Sequence, residues 1–348
     1  MEKFVPRVKL ADVARLAGVS ASTVSRVLSN PEVVAVTTRQ AVMNAVEATG
    51  YRLNHAARNL RKQRTGSVVA LVPNLGNPFF SKILAGMGRE LAQAGYDLLV
   101  ADTMEGSAEQ KSFRRFFDPS RADGIILLDG RVPADELAPQ LGLPPMVCAC
   151  EWVEGADLPC VRLDNEAGSR LAVEHLLSLG HRHIGLIGGP AGNVLHMARL
   201  AASKAAAGNA RLTLFQGDFT LQSGLAAARS WIDMPRADRP SAIHAFSDEM
   251  ACAFLSTVQQ AGFRVPEDVS IVGFDDIELA SFLTPALTTI HQPKRQIGRD
   301  AARLILRAIG GESVTPVTRL VPDLMIRGST GIASDRIHGG RRGAKADR

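Results

Sequence analysis

Apolar residues recur along this 348-residue chain with two different periods, and the change falls near residue 66. Before it the spacing is helical. Leu10, Val13, Ala14 and Ala17 fall on one helical face, which Gly18 ends. Ser20 stands where a second helix needs its N-cap, with Thr23 three residues on. In that helix Val24, Val27 and Leu28 share a face, while Ala21, Ser22, Ser25 and Arg26 lie elsewhere on its surface. A third helix is expected from about Thr38 to Ala48, with Val42, Ala45 and Val46 inward and Gly50 as its stop. Two short helices joined by a tight Gly-Val-Ser turn form a helix-turn-helix unit, whose second helix fits a DNA major groove.

From Ser67 the pattern alternates between strand and helix. GSVVALVP, YDLLVAD, DGIILLDG and PPMVCAC read as strands, and SKILAGMGRELAQAG and the stretch near Ala108 to Phe117 as helices. A second cycle starts near Asn165 with EAGSRLAVEHLLSLG, then HRHIGLIGGP, SAIHAFSD, DEMACAFLSTVQQAG and DVSIVGFDD. Such alternation implies parallel sheets with crossover helices, here two α/β lobes. A ligand cleft is expected at the carboxyl ends of their strands. The resulting fold class is an all-α headpiece followed by a two-lobed α/β core. We divide the chain into a headpiece at 1–52, a linker at 53–66, a core at 67–330 and a disordered basic tail at 331–348.

Charge sharpens this division. Residues 1–66 hold 11 Lys and Arg against 4 Asp and Glu, whereas residues 67–330 hold 24 against 29. A basic head on an acidic body suggests that the head alone meets a polyanion. No apolar run reaches membrane-spanning length and the N-terminus lacks an apolar signal segment, so a cytoplasmic location is expected. Cys148 and Cys150 read as alternate residues on one face of a buried strand, with all four cysteines reduced and no metal site. His181 and His183 are expected in a surface loop before a strand. GLIGGP lacks the glycine order of a dinucleotide fingerprint, and no nucleophile–base set with supporting context is found, so neither enzyme nor cofactor is expected.

The ungapped run D-V-A-x-x-A-G-V-S-x-x-T-V-S-R-V-L, from Asp12 to Leu28, closely resembles the DNA-binding headpiece of the LacI/GalR family of bacterial transcription regulators, and the resemblance continues to about residue 330. It implies operator contacts from Lys9, Ala21, Ser22, Thr23, Ser25 and Arg26. It also implies a hinge helix after Tyr51 that folds on DNA and pairs with its twin. There Leu60 would wedge into the minor groove beside Asn54, His55, Ala57 and Arg61, with Arg58, Lys62 and Arg64 on phosphates. Two departures stand out: Leu53 replaces the usual proline, and Lys9 and Ala35 replace hydroxyl caps of the first and third helices.

For the core, the resemblance implies a fold similar to periplasmic sugar-binding proteins, with effector residues on loops that follow strands. These are Phe79, Phe80, Glu151, Trp152, Arg199, Phe219, Ser247 and Asp275. Glu151-Trp152 occupies the place where nucleoside- and purine-responsive members carry an acid followed by an aromatic. The aromatics suit stacking on a base, and Asp275 and Arg199 suit ribose hydroxyls, so a nucleoside is the preferred effector and a sugar or sugar acid the alternative. The segment after Arg199 departs from the family's R-x-x-G-F wording and is shorter. Expected partners are pseudopalindromic double-stranded operator DNA, a small-molecule effector and a second copy of the chain, with no membrane. The rival class is a soluble sugar-binding protein without a DNA role.

Overall fold

The structure, a computed structural model, describes residues 8–51, 64–103, 116–137, 142–314 and 316–333. It divides into two compact units, Met1–Arg64 and Thr65–Arg348. The expected hinge residues Asn54, His55, Ala57, Leu60 and Arg61 lie outside the described residues, as does most of the helix expected near Ala108.

In the first unit, α1 (Leu10–Ala17), α2 (Ala21–Ser29) and α3 (Val36–Thr49) enclose a small core of Val13, Ala14, Val24, Val27, Val42 and Ala45. Gly18 ends α1 in the left-handed region at φ 66°, where a side chain is disfavoured. Ser20 then starts α2, its hydroxyl accepting from the Thr23 amide at 3.1 Å. The third helix begins earlier than its sequence suggests because extended Ala35, at ψ 140°, already serves as N-cap, although it offers no side-chain bond.

The second unit holds two six-stranded sheets. The first comprises β1 (Ser67–Val72), β2 (Asp97–Asp102), β3 (Gly124–Leu127), β4 (Met146–Ala149), β5 (Cys160–Leu163) and β11 (Val317–Leu320), in the order β11-β5-β4-β3-β1-β2 and parallel throughout. The second comprises β6 (His183–Ile187), β7 (Arg211–Phe215), β8 (Ala242–Ala245), β9 (Ser270–Asp275), β10 (Thr288–His291) and β12 (Asp323–Met325), ordered β12-β10-β9-β8-β6-β7. Only the pairing of β10 with β12 is antiparallel among its described pairs. The chain passes between lobes after β5, after β10 and after β11.

Helix α4 (Phe79–Gln93) covers the first sheet together with α9 (Lys294–Ile309), which returns from the second lobe. Glycines let these helices touch. A Cβ on Gly298 would lie 2.0 Å from the Ile83 carbonyl oxygen, and one on Gly86 would lie 2.4 Å from that of Arg295. In the second lobe, α5 (Asn165–Ser178) packs on α6 (Val194–Ala207), and α7 (Leu221–Asp233) on α8 (Asp248–Gln260).

Two expectations are corrected. Cys148 and Cys150 do not share a face: β4 stops at Ala149 and Cys150 turns to φ 69°, which sends the two side chains into different core clusters. His181 is no surface residue. It is buried, bonded to Ser241 at 2.9 Å and Ser270 at 3.0 Å, while His183 opens β6 and meets Thr213 at 2.8 Å. Just after residue 330, the Gly331 amide donates to Ser270 and the Ala333 amide to the Leu179 carbonyl.

Candidate functional site

Two surfaces carry chemistry, one on each unit. On the headpiece, burial of Val24 and Val27 fixes which face of α2 looks outward, and Ala21, Ser22 and Arg26 are all exposed on it. The small side chains leave a helix surface that a groove can approach closely, and the guanidinium can reach a base edge or phosphate. Thr23 is half-buried, its hydroxyl 2.9 Å from that of Ser20, so it helps start the helix. Lys9 caps α1 without a hydroxyl, its own amide donating to Asp12 at 2.9 Å.

In the core a cavity of about 320 Å³ lies where the carboxyl ends of both sheets face each other. From the first lobe come Phe79 and Phe80, at the start of α4, with ring centroids 5.1 Å apart in an edge-to-face contact. Asn77 sets them: its carboxamide accepts from the Phe79 amide at 2.8 Å. Glu151, just after β4, is buried and accepts from Gly130 N at 2.7 Å and from Asn193 Nδ2 at 3.0 Å, the latter across the lobes. Burial holds its carboxyl above the usual range against those two donors.

From the second lobe come Phe219, Ser247, Arg199 and Asp275. The close glycines of GLIGGP are explained here. A Cβ on Gly189 would lie 2.2 Å from the Phe219 ring, and one on Gly217 would lie 2.2 Å from the Gly188 carbonyl oxygen. Ser247 also caps α8, its hydroxyl accepting from Met250 N at 3.3 Å. Arg199 is buried inside α6, donates to Asn165 Oδ1 at 2.9 Å and to the Phe246 carbonyl, and lies 3.6 Å from the Phe274 ring centroid. Burial lowers its guanidinium to about 10, so it stays charged at neutral pH. Asp275 is buried at the end of β9, accepts from Gln292 Nε2 at 2.7 Å, and is pushed up to about 6 by burial, against the pull of Arg199 and Lys294.

Backbone strain collects at this cavity. Four non-glycine residues among those described have positive φ, namely Cys150, Phe219, Asp275 and Asp276, and the first three line it. Strain of that kind persists where surrounding structure over-determines it, and it marks functional positions.

Of the eight expected effector residues, seven therefore converge on the cavity and one does not. Trp152 is directed to the other side of the sheet, where it joins the cluster of Phe117 and Val153 with the Arg162 guanidinium 4.1 Å from its ring. The turn at Cys150 shifts the in–out alternation, so Glu151 faces the cavity and its neighbour cannot. Arg131, Asn193, Asp218, Thr220 and Gln292 also line the cavity and were not among the expected effector contacts. Arg131 is held by the buried Asp129 through Nε at 2.9 Å and Nη2 at 2.6 Å. Among the described residues no group of His, Cys, Asp and Glu could hold a metal ion, and no helix is long and apolar enough to cross a membrane.

Known proteins match both parts of the chain. Residues 9–54 match the profile of bacterial regulatory proteins of the lacI family, and residues 173–330 that of a periplasmic binding protein-like domain. The HTH-type transcriptional repressor CytR of Escherichia coli K12 is 38% identical over 328 residues, covering 92% of this chain and 96% of that protein. The chain belongs to the lacI family. It is a DNA-binding transcription regulator governed by a small-molecule effector, and not an enzyme. A solved structure of the Lac repressor dimer bound to operator and the anti-inducer ONPF is similar at TM-score 0.81 and 27% identity, covering 93% of this chain and 99% of that one. The transcriptional regulator CelR in complex with cellobiose is similar at TM-score 0.69 and 33% identity, covering 93% of this chain and all of that one.

Proposed function

We propose that this lacI-family regulator is a cytoplasmic repressor that binds a pseudopalindromic operator as a homodimer, and that a nucleoside in the interlobe cavity tunes that binding. Ala21, Ser22 and Arg26 read the major groove, with Lys9, Thr23 and Ser25 at its edges. Leu60 wedges the minor groove between Asn54, His55, Ala57 and Arg61, as in the family it resembles. One observation carries the effector reading: the cavity sets three phenyl rings, Phe79, Phe80 and Phe219, against the hydrogen-bonding set Arg199, Asn165 and Asp275. Rings suit a base, and a carboxylate beside a guanidinium suits vicinal ribose hydroxyls. Likeness to the repressor CytR supports the repressor reading, and likeness to a Lac repressor dimer on operator supports the dimer.

A sugar is the second reading. It is favoured by Trp152, whose ring lies off the cavity and removes one stacking surface, and by the similar CelR, solved with cellobiose. Calorimetry with cytidine, adenosine, ribose and gluconate separates the two. Heat with a nucleoside but not with free ribose supports the first reading; heat with only ribose or gluconate replaces it with the second. Mobility shift of the upstream DNA of its own gene, at two salt concentrations, tests the repressor. Specific binding that strengthens as salt falls is expected. Equal affinity for scrambled duplex rejects it.

A further inference from the structure

Lys294 is placed against two physical preferences. It is a cation in the first turn of α9, where the helix dipole opposes positive charge, and it is buried. Its ammonium makes no ion pair among the described residues. Instead it donates to the main-chain carbonyls of Asp275, of Asp276 at 2.8 Å and of Gln292 at 3.3 Å. Asp275 and Asp276 are the consecutive residues at φ 122° and 54°, a strained turn for side-chain-bearing residues. The same crossover segment supplies the second hold, because Gln292 donates to the Asp275 carboxylate itself. Asp276 is fixed from elsewhere, by Arg327 at 2.6 Å and His291 at 2.7 Å.

We infer that Lys294 is a positioning residue for the effector site: from the first lobe's α9 it pins the left-handed Asp275–Asp276 turn of the second lobe and so presents the Asp275 carboxylate to the cavity. The inference rests on the effector reading of that cavity. Its mechanical logic comes from the next layer. Gly298 and Gly86 lock α9 onto α4 at backbone contact, and α4 begins with Phe79 and Phe80. The Phe79 and Phe80 rings and the Asp275 carboxylate, on different lobes, are therefore linked through the segment that carries Gln292 and Lys294. Lys294 also explains why a buried cation is tolerated at a helix start. Burial lowers its pKa below the usual lysine value, while three carbonyl dipoles replace its hydration and the nearby carboxylates of Asp275, Asp276 and Asp248 act in favour of its charge.

The test uses the full-length protein carrying Lys294→Met, with Lys294→Gln as the alternative should the methionine variant fail to fold by circular dichroism, and Lys294→Arg as the rescue. Amide hydrogen exchange over 275–277 and calorimetry with cytidine and ribose are read side by side. We expect faster exchange in that segment and binding weakened roughly tenfold for whichever probe the wild type binds, both restored by arginine. Unchanged exchange at 275–277 in a folded variant overturns the inference. If the wild type binds neither probe, the effector reading fails while the exchange measurement still decides the role of Lys294.

Discussion

At the residue scale, Asp275 carries the sharpest consequence. Its carboxyl titrates at about 6 because burial disfavours the charged form more than Arg199 and Lys294 restore it. An ionised carboxylate only accepts hydrogen bonds from hydroxyls, and protonation converts one of its acceptor sites into a donor. Effector affinity should therefore rise between about pH 5 and about pH 7 and level off above. Stability of the unliganded core moves the opposite way. A folded pKa raised above the free value of 3.8 favours the fold at low pH, and that contribution is lost as pH rises through about 6. Asp275→Asn should flatten the calorimetric pH profile and weaken binding roughly tenfold at neutral pH, in a protein that still melts cooperatively. A profile that keeps its slope in the asparagine variant would assign the titration to another group, with Glu151 the next to test.

At the scale of elements, the sequence was most informative where one period ran long enough to choose between helix and strand. α2 and the long α4 follow from apolar spacing, and β1, β3, β8 and β9 are buried runs bounded by turn residues. Short β5, β10 and β12 lacked such a signal, since three or four residues cannot establish a period and their pairing is set by distant partners. Site residues divide along the same line. Asp275 ends a strand legible in the sequence, whereas Phe219 was indicated only by the family resemblance. Trp152 was misplaced because one left-handed residue, Cys150, inverts the alternation after β4, and no local pattern announces a positive φ at cysteine. Helix ends carry a prediction of their own. Ala35 holds the cap position of α3 and offers no side-chain acceptor to the amides of the first turn. Ala35→Ser should raise headpiece stability by about 1 kcal/mol, measured by urea unfolding followed through the Tyr51 fluorescence of an isolated headpiece. No gain would mean that water already satisfies those amides as well as a hydroxyl can.

For the whole molecule, the division of charge separates the work of holding DNA from that of choosing it. Residues 1–66 carry the cationic excess, and phosphate contacts by such groups set the dependence of affinity on salt without reading sequence. On the function proposed above, choice of operator falls to the α2 face and to Leu60, in the linker outside the described residues. Replacing Leu60 by glycine removes the apolar group that would pay for unstacking a base step while keeping Arg58, Lys62 and Arg64. Operator affinity should therefore fall by roughly tenfold or more, while affinity for scrambled duplex and the slope of log affinity against log salt stay as they were. Effector calorimetry should be unaffected, because every cavity residue lies beyond Arg64. The four measurements together discriminate: a parallel loss on operator and scrambled DNA would make the linker a phosphate clamp, whereas unchanged operator affinity would remove Leu60 from recognition and leave specificity to the headpiece helix alone.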